Sequence, residues 1–377
     1  MRPLKRSVNI RMKKNKVKSL YIHIPFCNAI CHYCDFPKLQ YFRIFAEKYI
    51  DKLIQEIEEV VTNKELETIY IGGGTPTSLD DDLFEKLLSY LSNYSCRVKE
   101  YTIEANPESL SENKIKLIKK YGINRISIGV ESTDDKVLES IGRKHTFEDV
   151  KKVVALLKEN GIDNINLDLI LGLPGVSYEM VKNDINNILM LEPKHISTYS
   201  LTVHEHTMFY LNGQKEPSND FSRQLYDLVH DLLLEHGYEH YEISNFAKPG
   251  YRSEHNLTYW RNKEYFGVGL GAAGYVDGVR YKNTTSLSRY LKGEYVEEKE
   301  VLNKHDIEIY QVMLNLRTVE GLNLETYKTL FNKDLYLEKK KEIDELIAQK
   351  YLTKRENCLI PTYSGMMILD QIILKLI

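Results

Sequence analysis

Between Ser19 and about Leu201 the chain alternates short β-branched runs with amphipathic stretches, six times over. The period-two runs predict strands over Ser19–Ile24, Thr68–Ile71, Val98–Glu104, Arg125–Val130, Asn164–Ile170 and His195–Leu201. The stretches between them carry apolar residues at spacings of three and four. They predict helices over Phe42–Thr62, Asp80–Tyr94 (capped by Ser78 or Asp80), Ser111–Tyr121, Phe147–Asn160 and Tyr178–Leu191. Such alternation implies a parallel sheet with right-handed crossovers. Six units fall short of a closed eightfold barrel, so the expected fold is α/β, a partial (β/α)6 barrel. In such folds the loops beyond the strand C-termini build the site. The residues that fall there are a cysteine-bearing loop, Gly72–Gly74, Glu104, Glu131 and Asp168.

The cysteine loop follows the first strand: Tyr21-Ile-His-Ile-Pro-Phe-Cys27-Asn-Ala-Ile-Cys31-His-Tyr33-Cys34-Asp-Phe36. Thiolates at spacings of four and three can wrap one small inorganic centre. Three are one too few to close a tetrahedral structural zinc site, and three with an open position suggest a reactive centre such as a [4Fe-4S] cube with one free iron. A zinc knuckle completed by His32 or His23, or three unligated thiols, are the other readings. Gly72-Gly73-Gly74-Thr75-Pro76 lacks the Gly-Lys-Ser/Thr of a phosphate loop, which argues against nucleotide hydrolysis. Glycines after a strand either make a turn or let a ligand approach the backbone.

The remaining two cysteines, Cys96 and Cys358, are isolated, so there is no disulfide framework. Free thiols suit a reducing, cytoplasmic setting. A net charge of −3 gives no overall footprint for nucleic acid, and no apolar run is long enough for a membrane span. Residues 1–18 hold eight Lys or Arg and no acid, and are expected to form a basic flexible tail.

The pattern C-x3-C-x2-C with Tyr33 before the last cysteine resembles the radical SAM superfamily signature. The wider string Y-x-H-I-P-F-C-x3-C-x-Y-C-D-F resembles, more narrowly, the HemW-type haem chaperones. These are relatives of the oxygen-independent coproporphyrinogen III dehydrogenases. The resemblance implies a [4Fe-4S] cluster held by Cys27, Cys31 and Cys34, whose open iron binds S-adenosylmethionine. It assigns cofactor contacts to Gly73, Gly74, Thr75, Glu104, Glu131, Arg143 and Asp168, with Tyr21 beside the cluster and Tyr33 in the motif. It also implies haem as cargo, an acceptor protein, and a dimer that depends on the cluster. Two departures stand out. Glu131 occupies a position where the group usually has Gln, and a carboxylate only accepts where an amide also donates. Phe36 stands where the dehydrogenases carry a further cysteine, which favours the chaperone over the alternative, oxidative decarboxylation of coproporphyrinogen III.

After Leu201 regularity fades. A helix is expected over Asp220–His236, a strand over Tyr238–Ser244, and a Gly- and Tyr-rich section over 245–283. The unit 19–290 is read as the barrel with its extension. Residues 300–377 are read as a small helical, winged-helix-like C-terminal domain. Its expected elements are helices His305–Leu316, Leu337–Gln349 and Met366–Leu376, an irregular segment after the first helix, and a hairpin over Tyr351–Pro361. His255-Asn-Leu-Thr-Tyr259-Trp260 matches a string that the HemW group carries and is there linked to haem, so His255 is the expected axial ligand. His204 and His206 are further candidates.

Overall fold

The computed structural model describes residues 17–377; the basic tail lies almost wholly outside the described residues. Six strands appear where alternation placed them: β1 Ser19–Ile24, β2 Thr68–Gly73, β3 Glu100–Ala105, β4 Arg125–Glu131, β5 Ile165–Leu171 and β6 His195–Ser200. The helices between them are α1 Arg43–Val60, α2 Asp81–Leu91, α3 Glu112–Lys120, α4 Phe147–Glu159 and α5 Tyr178–Leu189. All six strands run parallel in order of sequence. This is the partial (β/α)6 barrel, and a further strand pairs with it at each edge.

Strand periodicity sorts the side chains. In β4, Ile126, Ile128 and Val130 are fully buried in the main core, while the alternate residues Ser127, Gly129 and Glu131 reach the inner cavity. The helices bury stripes such as Ala46, Tyr49, Ile50, Leu53 and Ile57 of α1 on the same core. Their N-termini are fixed locally. Ser111, Thr146 and Ser177 each accept from the backbone amide three residues on, and Thr146 forms a full capping box with Asp149. Asp80 occupies the N-cap of α2, but its carboxylate accepts from Arg43 instead of the helix amides.

The region beyond β6 is more ordered than its sequence suggests. Helix α6 covers Asn219–Glu235. The strand expected over Tyr238–Ser244 is instead a tight antiparallel pair, β7 Glu239–His240 and β8 Asn245–Ala247, which closes the sheet beside β6. The Gly- and Tyr-rich section holds helix α7 Glu254–Trp260 and strand β9 Phe266–Val268, which adds in parallel to the free edge of β1. Both are too short to show a period. Strands β10 Ala273–Val276, β11 Val279–Asn283 and β12 Val296–Val301 form a separate antiparallel sheet.

A second core collects Val312, Leu316, Leu322, Tyr327, Ile343, Leu346, Leu359 and Ile372. It is built from α8 Lys304–Asn315, β13 Leu322–Asn323, α9 Leu324–Phe331, α10 Lys340–Ala348, β14 Leu352–Arg355, β15 Cys358–Pro361 and α11 Leu369–Leu376. Helices with a three-stranded antiparallel sheet give the expected winged-helix-like arrangement. The segment expected to be irregular contains α9, which ends at Asn332 in the left-handed region (φ 56°). The helix expected from Leu337 begins at Lys340, after a separate turn at Leu335–Glu338. The last helix, expected over Met366–Leu376, is α11, which begins at Leu369 after a separate turn at Tyr363–Met366.

Candidate cluster and cofactor site

A cavity of about 360 Å³ opens at the C-terminal ends of the strands. Its wall includes Cys27, Cys31, Cys34, Tyr33, Gly73, Gly74, Thr75, Glu104, Glu131, Arg143 and Asp168. Eleven of the thirteen residues proposed from sequence therefore share one space. Tyr21 and His255 do not line it.

The cysteine loop is anchored from both sides. The His32 amide donates to the Ile141 carbonyl (3.0 Å), and the Phe209 amide donates to the His32 carbonyl (3.0 Å). The Tyr33 ring lies 6.3 Å from that of Phe209. The glycine run grips the loop's start: the Gly74 amide donates to the Ile24 carbonyl and the Thr75 amide to the Phe26 carbonyl, each at 2.8 Å. A Cβ on Gly74 would meet the Pro25 carbonyl carbon at 2.8 Å, so this glycine serves backbone contact as well as access. Gly73 has φ 113°, which only glycine adopts easily, and its missing side chain leaves room for the His23 ring.

Two donors point at sulfur. Thr75 Oγ1 donates to Cys27 Sγ (3.7 Å), and Arg143 Nη1 donates to Cys31 Sγ (3.6 Å). Burial pushes the Cys27 thiol up and raises that of Cys34 to about 11, so both are neutral thiols until a metal displaces the proton. No three His, Cys, Asp or Glu side chains among the described residues converge on a single-ion site. Three thiols line one cavity, the ligand number of a [4Fe-4S] cube that keeps one iron open. Neither histidine weighed as a fourth zinc ligand, His23 or His32, lines the cavity. His23 is buried with both nitrogens engaged, by the Tyr21 hydroxyl (3.0 Å) and the Pro37 carbonyl (2.7 Å). His32 Nδ1 faces the Ser140 carbonyl at 3.0 Å.

The carboxylates form the cavity's inner end. Glu104 accepts from the Tyr70 hydroxyl (2.8 Å) and the Gly73 amide (2.9 Å). Burial raises its pKa to about 7 against those two bonds, with Asp168 adding repulsion. Asp168 accepts from Ser127 Oγ (3.0 Å) and Asn166 Nδ2 (2.8 Å). Glu131 sits at a bulge in β4 with φ 67°, buried beside Arg143 (3.4 Å). Arg143 also donates to the Gly129 carbonyl, and its Nε has no partner. Buried carboxylates with an incompletely bonded guanidinium suit a ligand carrying both an amino and a carboxylate group. The residues present thus fit a cluster and S-adenosylmethionine.

Sequence reasoning missed Asn106, whose amide donates to Thr75 Oγ1 (3.2 Å) from the cavity wall. Its position after β3, in Ala105-Asn106-Pro107, was the available signal. It also missed Ser127, Lys38 and Tyr199, which line the same space.

His255 lies elsewhere. It is fully buried, with Nδ1 on Thr68 Oγ1 (2.8 Å) and Nε2 on the Tyr259 hydroxyl (2.7 Å). Both ring nitrogens are engaged, so in this arrangement neither is free for a metal. Its helix, α7, is tied to the opposite end of the barrel. The first residues of three strands hold it: Ser19 meets Thr258 (3.1 Å), Thr68 meets His255, and Glu100 accepts from the amides of Glu254 (2.7 Å) and His255 (3.0 Å). From Thr68 to Gly73, five residue rises separate this plug from the cavity, about 17 Å along the strand.

Comparison with known proteins agrees with this architecture. The radical SAM superfamily model matches residues 21–188, and the HemN C-terminal domain model matches residues 311–368. The chain is 42% identical to heme chaperone HemW of Lactococcus lactis subsp. lactis (strain IL1403), over 89% of this chain and 91% of that one. It is 40% identical to heme chaperone HemW of Bacillus subtilis (strain 168), over 85% and 88%. Against heme chaperone HemW of Escherichia coli (strain K12) it is 34% identical, over 89% and 92%. The structure of coproporphyrinogen III oxidase (HemN) from Escherichia coli shares the fold, with a TM-score of 0.83 at 21% identity over 96% of this chain and 90% of that one. With its cysteine loop and strand-end carboxylates around one cavity, and relatives matched over most of its length, the chain belongs to the HemW family of the radical SAM superfamily.

Proposed function

We propose that this chain is a haem chaperone, binding haem and passing it to an acceptor protein, on a radical SAM scaffold. The observation that carries this reading is Cys34-Asp35-Phe36: an exposed phenylalanine stands at the cavity edge where a decarboxylating relative would place another thiol. In this reading Cys27, Cys31 and Cys34 hold the cluster. Thr75 and Arg143 direct hydrogen bonds at two of its sulfur ligands and so tune its charge. Gly73 and Gly74 give the methionine end of S-adenosylmethionine access to backbone. Glu104, Glu131, Arg143 and Asp168 orient its charged groups, while Tyr21 stands behind, through its bond to His23. When bound and reduced, the cluster supplies the electron for cleaving the sulfonium bond; the chain's own work is to bind, orient and exclude water. The cluster end governs oligomeric state or haem release, and the reducing setting it needs is cytoplasmic.

The test is anaerobic incubation of reconstituted protein, with S-adenosylmethionine and reductant, with haem or with coproporphyrinogen III. A Soret band that decays on adding an apo-acceptor, with no decarboxylated porphyrinogen, is expected. Decarboxylation without haem binding would replace this reading by the enzymatic one.

A further inference from the structure

We propose that the haem lies across the mouth of the cluster cavity, with His204 as an axial ligand of its iron and Asp35 orienting the imidazole. This rests on the haem-binding reading above. The chain has eleven histidines, and His204 is the one that lines the cavity. One of its ring nitrogens, Nε2, lies 3.4 Å from Asp35 Oδ2, and the side chains are 49% and 44% exposed. The other ring nitrogen has no hydrogen-bond partner among the described residues. An accessible imidazole beside a carboxylate is an arrangement that suits a metal-binding histidine, because a neighbouring carboxylate can set the ring's orientation.

The backbone around it is held. The Val203 amide donates to the Glu216 carboxylate (2.8 Å), and Thr207 Oγ1 donates to the His204 carbonyl (2.7 Å). The surroundings suit a flat apolar ring with two carboxylates. Phe36 lines the same cavity and is 59% exposed, a large aromatic surface left for a macrocycle to cover. Lys38, also in the wall, donates to the Cys34 carbonyl (2.5 Å) and supplies positive charge for a propionate.

Competing histidines are placed less well. His23, His195 and His255 are buried with both ring nitrogens bonded. His206 is two residues on, in a left-handed conformation (φ 69°), and does not line the cavity. A macrocycle at His204 covers the cavity without filling it. Haem loading should therefore close the route by which S-adenosylmethionine enters and leaves.

The experiment uses the anaerobically reconstituted full chain, titrated with haem and followed by its Soret band, with cluster absorbance as the folding control. His204→Ala should weaken haem binding about tenfold or more and shift the band, with the cluster retained. His206→Ala should leave both unchanged. Should His204→Ala lose its cluster, His204→Gln keeps a polar partner for Asp35 without offering an imidazole, and the same loss is expected. Prebound haem should slow exchange of labelled S-adenosylmethionine severalfold in the wild type and not in His204→Ala. Wild-type haem binding retained in His204→Ala or His204→Gln overturns the assignment. No Soret band in the wild type overturns instead the haem-binding reading beneath it.

Discussion

At the scale of single residues, the site holds charges in places that make them sensitive to pH. Glu104 carries a pKa raised by burial to about 7, facing Asp168, Tyr70 and Arg125. Its folded-state value lies above the unfolded one, so the folded state binds the extra proton. Stability of the ligand-free protein should fall as pH rises from about 4.5 to about 7, by roughly 3 kcal/mol, and stay reduced above that. S-adenosylmethionine should show the opposite trend, because the ionised carboxylate attracts its cationic groups. Its affinity should rise through pH 7 in the wild type and lose that rise in Glu104→Gln, read by the cluster's electron paramagnetic resonance signal. Equal pH profiles for the two proteins would rule out this role. Each of Cys27→Ala, Cys31→Ala and Cys34→Ala should lose the brown chromophore of the reconstituted cluster, while Cys96→Ala and Cys358→Ala keep it. Iron and sulfide analysis decides the point. Most of these residues were legible beforehand because spacing and strand ends are sequence properties. Asn106 and Lys38 were not, since nothing local says that a turn amide reaches Thr75 or that an ammonium curls back onto Cys34.

Among the elements, α7 marks where sequence and structure part. Its His-Asn-x-x-Tyr-Trp string drew attention as a ligand, yet it closes the far end of the barrel through the first residues of β1, β2 and β3. A seven-residue helix shows no period, and its partners lie between 150 and 240 residues away in sequence, so no window of the chain reveals them. Removing the His255 ring would leave Thr68 Oγ1 and the Tyr259 hydroxyl without partners in the interior. His255→Ala should thus cost about 2–4 kcal/mol in denaturant unfolding, more than Tyr259→Phe, which strands only one ring nitrogen. Glu100→Gln should also destabilise, since a carboxylate now faces the N-terminus of α7. If His255→Ala unfolds like the wild type, the plug role is lost. The six barrel strands and five crossover helices, by contrast, were readable because each repeats one period over a full element.

Across the whole molecule, the cluster cavity and the α7 plug occupy opposite ends of one sheet, and the C-terminal core joins beside β7 and β8. Tyr363 stacks on His230 (3.9 Å between ring centroids) and donates to Asp227 (2.5 Å), linking that core to α6. Arg261 bridges from α7 to Glu320 (2.6 Å). These joints were invisible in sequence, which showed the small domain's elements but not where they dock. Tyr363→Phe should loosen the joint, seen as faster amide exchange in α11, without changing cluster content. The most direct test of the account as a whole is an anaerobic haem titration of the reconstituted chain, paired with a coproporphyrinogen III assay on the same sample. The account predicts a saturable Soret band, transferable to an apo-acceptor, and unchanged coproporphyrinogen. Decarboxylated product from a sample that takes up no haem would contradict it.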